Sequence, residues 1–259
     1  MKKQFFILLF LCVSISMFSQ YKRMKKNRTD YKDSCHHFFI VGVDLEGDLP
    51  YGDMSARFGG NFSAGMPILY KTSKNLIIGV EGNYFFSNNV RENSLDNMYN
   101  NSDPPTITDG NGNPASVRVN ERGFSLYAVV GGVINKLGKN KNSGLLLYGG
   151  FGYMQSQIHI ADIGRSLPQV FGDLKKGYDR LTGGFAAEQF IGYMYLARNR
   201  LINCYGGFTF QEGFTTGLRG YQYDTMTSDN KKRKDILIGI RIGWMLPLYK
   251  KAPKEFYYN

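Results

Sequence analysis

The sequence predicts an all-β protein, an eight-stranded antiparallel up-and-down transmembrane β-barrel, and three observations carry that expectation. Apolar residues recur at every second position over eight separate stretches. The connections between the stretches alternate between short and long. Aromatic side chains, drawn from 19 Phe, 18 Tyr and a single Trp, gather toward the strand ends. Composition agrees, because 42% apolar and 20% charged residues with only 8 Pro in 259 disfavour disordered, collagen-like and disulfide-scaffold chains. Mean hydropathy is −0.31 and the only long apolar run is N-terminal, which rules out a polytopic helical membrane protein.

The elements follow in order. Lys2 and Lys3 precede the apolar run Phe5 to Val13 and the small-residue stretch Ser14 to Ser19, so residues 1–20 read as an export signal cleaved near Ser19 or Gln20. Cys12 lacks the small residue that a lipoprotein signal needs before its cysteine, which argues against a lipid anchor. Residues 21–37 form a basic periplasmic N-terminal segment, residues 38–249 the outer-membrane barrel and residues 250–259 a periplasmic tail. Cys35 and Cys204 remain in an oxidising context, where a disulfide is open but not demanded by the spacing.

Strands are expected over residues 38–46, 57–70, 76–86, 121–135, 144–160, 184–196, 201–214 and 236–248. The third sets Leu76, Ile78, Val80, Tyr84 and Phe86 on one face and Glu81 and Asn83 on the other. The last sets Ile236, Ile238, Ile240, Ile242, Trp244, Leu246 and Leu248 opposite Gly239, Arg241 and Gly243. The fifth and sixth have mixed faces, which predicts a bulge or a change of phase. The long link 88–120 carries Asp103-Pro104-Pro105 and Asp109 to Pro114, strong turn signals. Short turns at one end and long loops at the other place both termini in the periplasm.

A soluble lipocalin-like barrel also alternates, with its apolar face inside. Lysine usage separates the two, since no Lys falls within the eight expected intervals, and a solvated face would ordinarily carry some. Two aromatic girdles are expected, with Tyr70, Tyr195, Trp244 and Tyr249 at the short-turn end and Phe58, Tyr84, Phe86, Phe124, Phe210 and Phe214 at the loop end.

With its signal ending in Ser19-Gln20, its strand and loop layout and glycine-aromatic strands such as Tyr148-Gly149-Gly150-Phe151-Gly152-Tyr153, the chain resembles the small outer-membrane β-barrel proteins of Bacteroidota. These are built like the eight-stranded OmpA membrane domain. Only Lys250 to Asn259 follow the last strand, so the peptidoglycan anchoring of full-length OmpA is not implied. The resemblance permits an accessory role in secretion or envelope assembly.

On the face opposite the apolar one, Asp44, Glu46, Arg57, Asn61, Glu81, Asn83, Glu121, Glu188, Asn203, Gln211 and Arg241 point into the lumen. An eight-stranded barrel is only wide enough for side chains to fill. Its charges must pair, so an ion network is expected among Asp44, Glu46, Arg57, Glu81, Glu121, Glu188 and Arg241, with Arg241 against Glu81, Glu188 or both. Catalytic residues, a metal and a cofactor are not expected. His36 and His37 beside Cys35 point to opposite faces of an extended chain. His159 could serve as a base for Ser156 or Ser166, as in outer-membrane acyltransferases, but no nucleophile motif accompanies it.

The pI of about 9.4 could suggest nucleic acid, yet the basic residues do not interleave with exposed aromatics, so no nucleic-acid partner is expected. The positive charge gathers instead on the periplasmic side, Lys71 included. There Lys22, Arg23, Lys25, Lys26, Arg28, Lys139, Lys141, Arg198 and Arg200 form a candidate docking surface for a periplasmic, lipoprotein or outer-membrane protein partner. Lys231, Lys232, Arg233 and Lys234, just before the last strand, are candidates for contact with outer-membrane lipid and the phosphates of lipopolysaccharide. The function these features predict is non-enzymatic: a structural or accessory subunit of a cell-envelope complex. A small lipid-acting enzyme and a narrow solute channel are the alternatives.

Overall fold

A computed structural model of the chain describes residues 37–103, 105–138, 142–164, 167–197 and 203–248. Eight strands close into one antiparallel barrel. They are β1 (Phe38–Gly52), β2 (Asn61–Lys71), β3 (Leu76–Ser87), β6 (Val117–Ile134), β7 (Gly144–Asp162), β8 (Thr182–Leu196), β9 (Asn203–Gly217) and β10 (Lys232–Leu248). Each pairs with its neighbour in the chain, and β10 returns to β1 with Phe39 opposite Leu248 and Gly52 opposite Asp235. Closure leaves no sheet edge, so backbone donors along the wall find partners without water. A small hairpin of β4 (Ile107–Thr108) and β5 (Pro114–Ala115) stands in the longest loop, where Asp109 to Pro114 carry the turn residues.

The strands alternate because their sequence does. Along β1, Phe39, Val43, Leu45 and Leu49 face outward while Asp44, Glu46 and Asp48 are buried inside. The outer wall is apolar around the whole circumference, with Leu45 71%, Phe62 67%, Phe208 62% and Ile242 67% exposed. That much contiguous apolar surface is incompatible with water and matches a hydrocarbon surround, so the chain is a transmembrane β-barrel. No helix among the described residues is long and apolar enough to cross a membrane.

Prolines sit where the ladder permits them. Pro67 pairs with Glu81 of β3, while the β1–β2 register lapses between Val41↔Ile68 and Asp44↔Gly65. Pro50 lies beyond the start of β2, and Pro247 beyond the β9 partner of β10. In each case the ladder on one side of the proline is interrupted or has ended.

Several expectations are corrected. The strands overrun the sequence pattern at the loop end: β1 continues to Gly52, β6 begins at Val117 and β10 at Lys232. Hydrophobic alternation marks only the part of a strand that meets lipid, whereas the hydrogen-bonded ladder continues above it with polar residues. Lys232 and Lys234 are therefore strand residues. Lys71 also lies within a strand, fully buried inside the barrel with Nζ 3.0 Å from Asn142 Oδ1 and 5.4 Å from the Phe38 ring centre. Residues 57–60 are not strand, because the short helix α1 (Asp53–Arg57) ends there.

No bulge interrupts the fifth and sixth barrel strands. β6 and β7 pair without a slip from Val117↔Asp162 to Ile134↔Leu145, and β7 and β8 from Gly144↔Met194 to Ser156↔Thr182. Their faces look mixed because the lumen itself is partly apolar: Leu146, Met154, Ile158 and Ile160 point inward, while Gln155, Gln157 and His159 face outward. Of the expected girdle, Phe58 is wholly buried under the loops and Phe210 sits in the middle of β9. Tyr51, Phe62, Tyr153 and Phe185 belong to the loop-end aromatic band alongside Phe86, Phe124 and Phe214.

Candidate functional site

The lumen is filled in three layers. At the short-turn end, Phe38, Ile40, Leu69, Ile77, Val133, Leu146, Met194, Leu196 and Met245 form an apolar plug. Above it, β10 carries Arg241 inward at the centre of the barrel, with no exposed surface. Its Nε lies 3.0 Å and its Nη2 2.6 Å from Glu46 Oε2. Nη2 also donates to Glu188 Oε1 at 2.7 Å, and Nη1 donates to Glu81 Oε1 and, at 2.9 Å, to Tyr148 Oη. Asp44 Oδ1 stands 3.9 Å away. Partners therefore reach Arg241 from β1, β3, β7 and β8 at once, tying opposite sides of the barrel together.

Neighbouring hydroxyls and an amide orient those acids. Tyr148 donates to Glu81 Oε2 at 3.0 Å, Asn83 to Glu81 Oε1 at 3.0 Å, and Tyr205 to Asp44 Oδ2 at 2.7 Å. Thr209 donates to Glu46, and Tyr148 stacks on Phe190 with ring centres 4.8 Å apart. Space for this comes from inward glycines. A Cβ on Gly65 would lie 2.3 Å from Asp44 Oδ1, and one on Gly243 would lie 2.2 Å from the Tyr205 ring. Asp48 stands within electrostatic reach of Glu46 and Arg241. Five carboxylates thus share one guanidinium, and burial of that much like charge favours protons among them.

The third layer lies beneath the loops. Arg57, at the end of α1, makes a forked pair with both Asp235 oxygens at 2.8 Å and donates to Thr182 Oγ1 at 2.9 Å. Glu121 accepts long bonds of 3.4 Å from Asn61 Nδ2. Over this layer, Met54, Phe58, Leu95, Ile107, Leu167 and Val170 are buried among the loops. Ion pairs knit the loops together: Arg180 meets Glu92 Oε1 at 3.1 Å and also Asp224, while Arg219 meets Asp179 Oδ2 at 2.6 Å.

Sequence reasoning named Asp44, Glu46, Arg57, Glu81, Glu121, Glu188 and Arg241, and all seven are buried. Six of them form two clusters, around Arg241 and Arg57, while Glu121 accepts from Asn61 Nδ2. Tyr148, Asp48 and Asp235 were missed. Asp235 falls one residue before the stretch that alternates, although its odd number already shares the inward phase of Arg241. Lys22, Arg23, Lys25, Lys26, Arg28, Lys139, Lys141, Arg198 and Arg200 lie outside the described residues. Of the cluster before the last strand, Lys231 meets Asp53 Oδ1 at 3.5 Å, Arg233 meets Asp229 Oδ1 at 2.8 Å and Lys234 meets Glu212 Oε1 at 2.6 Å. Lys232 is exposed.

Ser156 points inward, 2.9 Å from Thr182 Oγ1, whereas His159 faces outward, so the wall separates them and no general base serves Ser156 from that position. Ser166, Cys35 and His36 lie outside the described residues, and His37 is exposed. Among the described residues no group of three or more His, Cys, Asp or Glu could hold a metal ion.

No protein-family model matches the chain, and no curated protein sequence does. Among solved structures, it is similar to the attachment invasion locus protein Ail of Yersinia pestis, at 11% identity and a TM-score of 0.42, covering 82% of this chain and 99% of Ail. It is also similar to Neisserial surface protein A, at 10% identity and a TM-score of 0.36, covering 79% of this chain and 95% of that one. A further similarity is to the outer membrane protein OprG of Pseudomonas aeruginosa, at 12% identity and a TM-score of 0.35, covering 82% and 97%. Likenesses at these identities and scores carry nothing about activity or partners.

Proposed function

We propose that the chain is a bacterial outer-membrane barrel that works through its rims, as a non-enzymatic structural or accessory subunit of a cell-envelope complex. The observation that carries this reading is the filled lumen, with Arg241 held by Glu46, Glu81 and Glu188 between an apolar plug and a capped loop end. A path through the axis would have to break a buried, multiply bonded ion cluster, which costs several kcal/mol. The surfaces left for interaction are the lipid-facing wall, the long loops and the short-turn rim with its basic segments. On this reading the loops face outward from the cell, the termini face the periplasm, and the basic residues 21–37 draw an acidic envelope partner toward the rim.

The test is co-purification. Full-length protein extracted from native membranes with mild detergent should bring one or more envelope proteins with it at roughly stoichiometric amounts. Changing Lys22, Arg23, Lys25, Lys26 and Arg28 to Gln should weaken that association while leaving the barrel folded. Recovery of the barrel alone, or of the same partners at the same salt sensitivity from the Gln variant, would count against docking through this segment.

A further inference from the structure

The cations of the loop end fall into two sets. Arg57, Arg180, Arg219, Arg233, Lys176, Lys231 and Lys234 each meet a carboxylate. Arg91, Arg118, Arg122, Lys175 and Lys232 meet none within ion-pair distance among the described residues; Arg91 donates instead to the Ser55 carbonyl at 2.8 Å, and Lys232 is exposed at the start of β10. Arg118, Arg122 and Lys175 share one flank, away from Arg91 and from Lys232 on β10. Arg118 and Arg122 face outward on β6, and Lys175 lies in the short 3-10 turn Leu174–Gly177 of the neighbouring loop. Arg122 and Lys175 are close enough for their charges to act on each other and on His159. Burial, and then the Arg122 charge, hold the Lys175 ammonium below its ordinary range.

The fold sets the height of this patch. β3 pairs with β6 only as far as Ser87↔Glu121, and β8 with β7 only as far as Ser156↔Thr182. Above those rungs β6 and β7 continue as a two-stranded ribbon to Val117↔Asp162. Arg122 stands at the root of the ribbon, opposite Gln157, and the next outward rung below holds Phe124 opposite Gln155. Phe124 and Tyr153, with ring centres 6.0 Å apart, belong to the aromatic band, and the wall beneath them is apolar. These three charges therefore lie at headgroup height, with Asn120, Gln155 and Gln157 on the same face to bond sugar hydroxyls. Cations just above an aromatic band and an apolar wall complement an amphiphile with a phosphorylated head and acyl chains.

We propose that the outward flank of β6 and β7 binds the phosphates of an anionic outer-leaflet glycolipid through Arg122, Lys175 and Arg118. The site differs from Lys231, Lys232, Arg233 and Lys234, where three of the four charges already face carboxylates of the same chain. It rests on the outer-membrane reading.

The experiment measures binding of lipid A, dephosphorylated lipid A and inorganic phosphate to the purified full chain in detergent, by native mass spectrometry. Arg122→Gln combined with Lys175→Gln should weaken lipid A binding about tenfold or more, since each lost charge-assisted contact is worth that order. Dephosphorylated lipid A should bind wild type more weakly than lipid A by a similar factor. An unchanged affinity in the double variant, equal affinity for the dephosphorylated lipid, or a larger loss from Lys231→Gln with Lys234→Gln would overturn the proposal. Displacement of lipid A by millimolar inorganic phosphate would also overturn it, by showing a free-anion site. Heat-modifiable gel migration checks that each variant is folded. Membrane fractionation of wild type reads the outer-membrane assignment separately: a soluble wild type defeats that reading whatever the detergent binding shows.

Discussion

At the scale of single residues, Arg241 decides most. Its guanidinium is fully buried, and removing it leaves Glu46, Glu81 and Glu188 without a shared cation. Arg241→Met should destabilise the barrel by about 3–5 kcal/mol, read from urea unfolding in detergent or lipid vesicles. Adding Glu188→Gln should recover part of the loss, and strict additivity of the two changes would show that they do not interact. The inward phase of Arg241 and its acidic partners was legible from the two-residue period alone, because a strand fixes which face each residue takes. Tyr148 was not legible, although it donates to Glu81 and accepts from Arg241, because Leu, Tyr and Gly stand on both faces of that strand. Nor could the sequence distribute the partners, since Glu46, Glu81 and Glu188 meet only when β1, β3 and β8 converge across the lumen.

At the scale of elements, the loops behave as a cap. Arg180 bridges Glu92 in the loop after β3 to Asp224 in the loop after β9. Arg180→Ala should leave barrel migration on gels unchanged while speeding protease cleavage within residues 163–181 and 218–231 severalfold, because loop opening loses its ion pairs first. Asp229 gives the same cap a pH dependence. Burial pushes its carboxyl up, but the Arg233 guanidinium and further hydrogen bonds outweigh this and hold it below the ordinary 3.8. A depressed carboxyl stabilises the folded loop fully above 3.8 and less as pH falls through the lower folded value. Protease sensitivity of residues 218–231 should therefore rise on acidification in wild type, and Asp229→Asn should flatten that rise. The cap itself was hidden in the sequence: the loop residues show turn chemistry but no period, and Arg57 shared the lumen's parity while sitting on a helix rather than a strand.

At the scale of the whole molecule, strand number, antiparallel order and the alternation of short turns with long loops were readable, because bilayer and lumen impose opposite demands on successive residues. The layering of the lumen was not. A polar interior is the simple expectation, yet the short-turn end is closed by Phe38, Ile40, Ile77, Leu146 and Met245. Apolar plug, ion cluster and cap act in series, so no single opening creates a continuous water path. Single-channel recording on the purified full chain in planar bilayers tests this closed-lumen claim most directly. Wild type at neutral pH should show no resolvable open-channel steps, even at voltages that gate ordinary porins. Steady unitary conductance from folded wild-type protein would contradict it, because ions would then be crossing a chamber that the Arg241 cluster is held to fill.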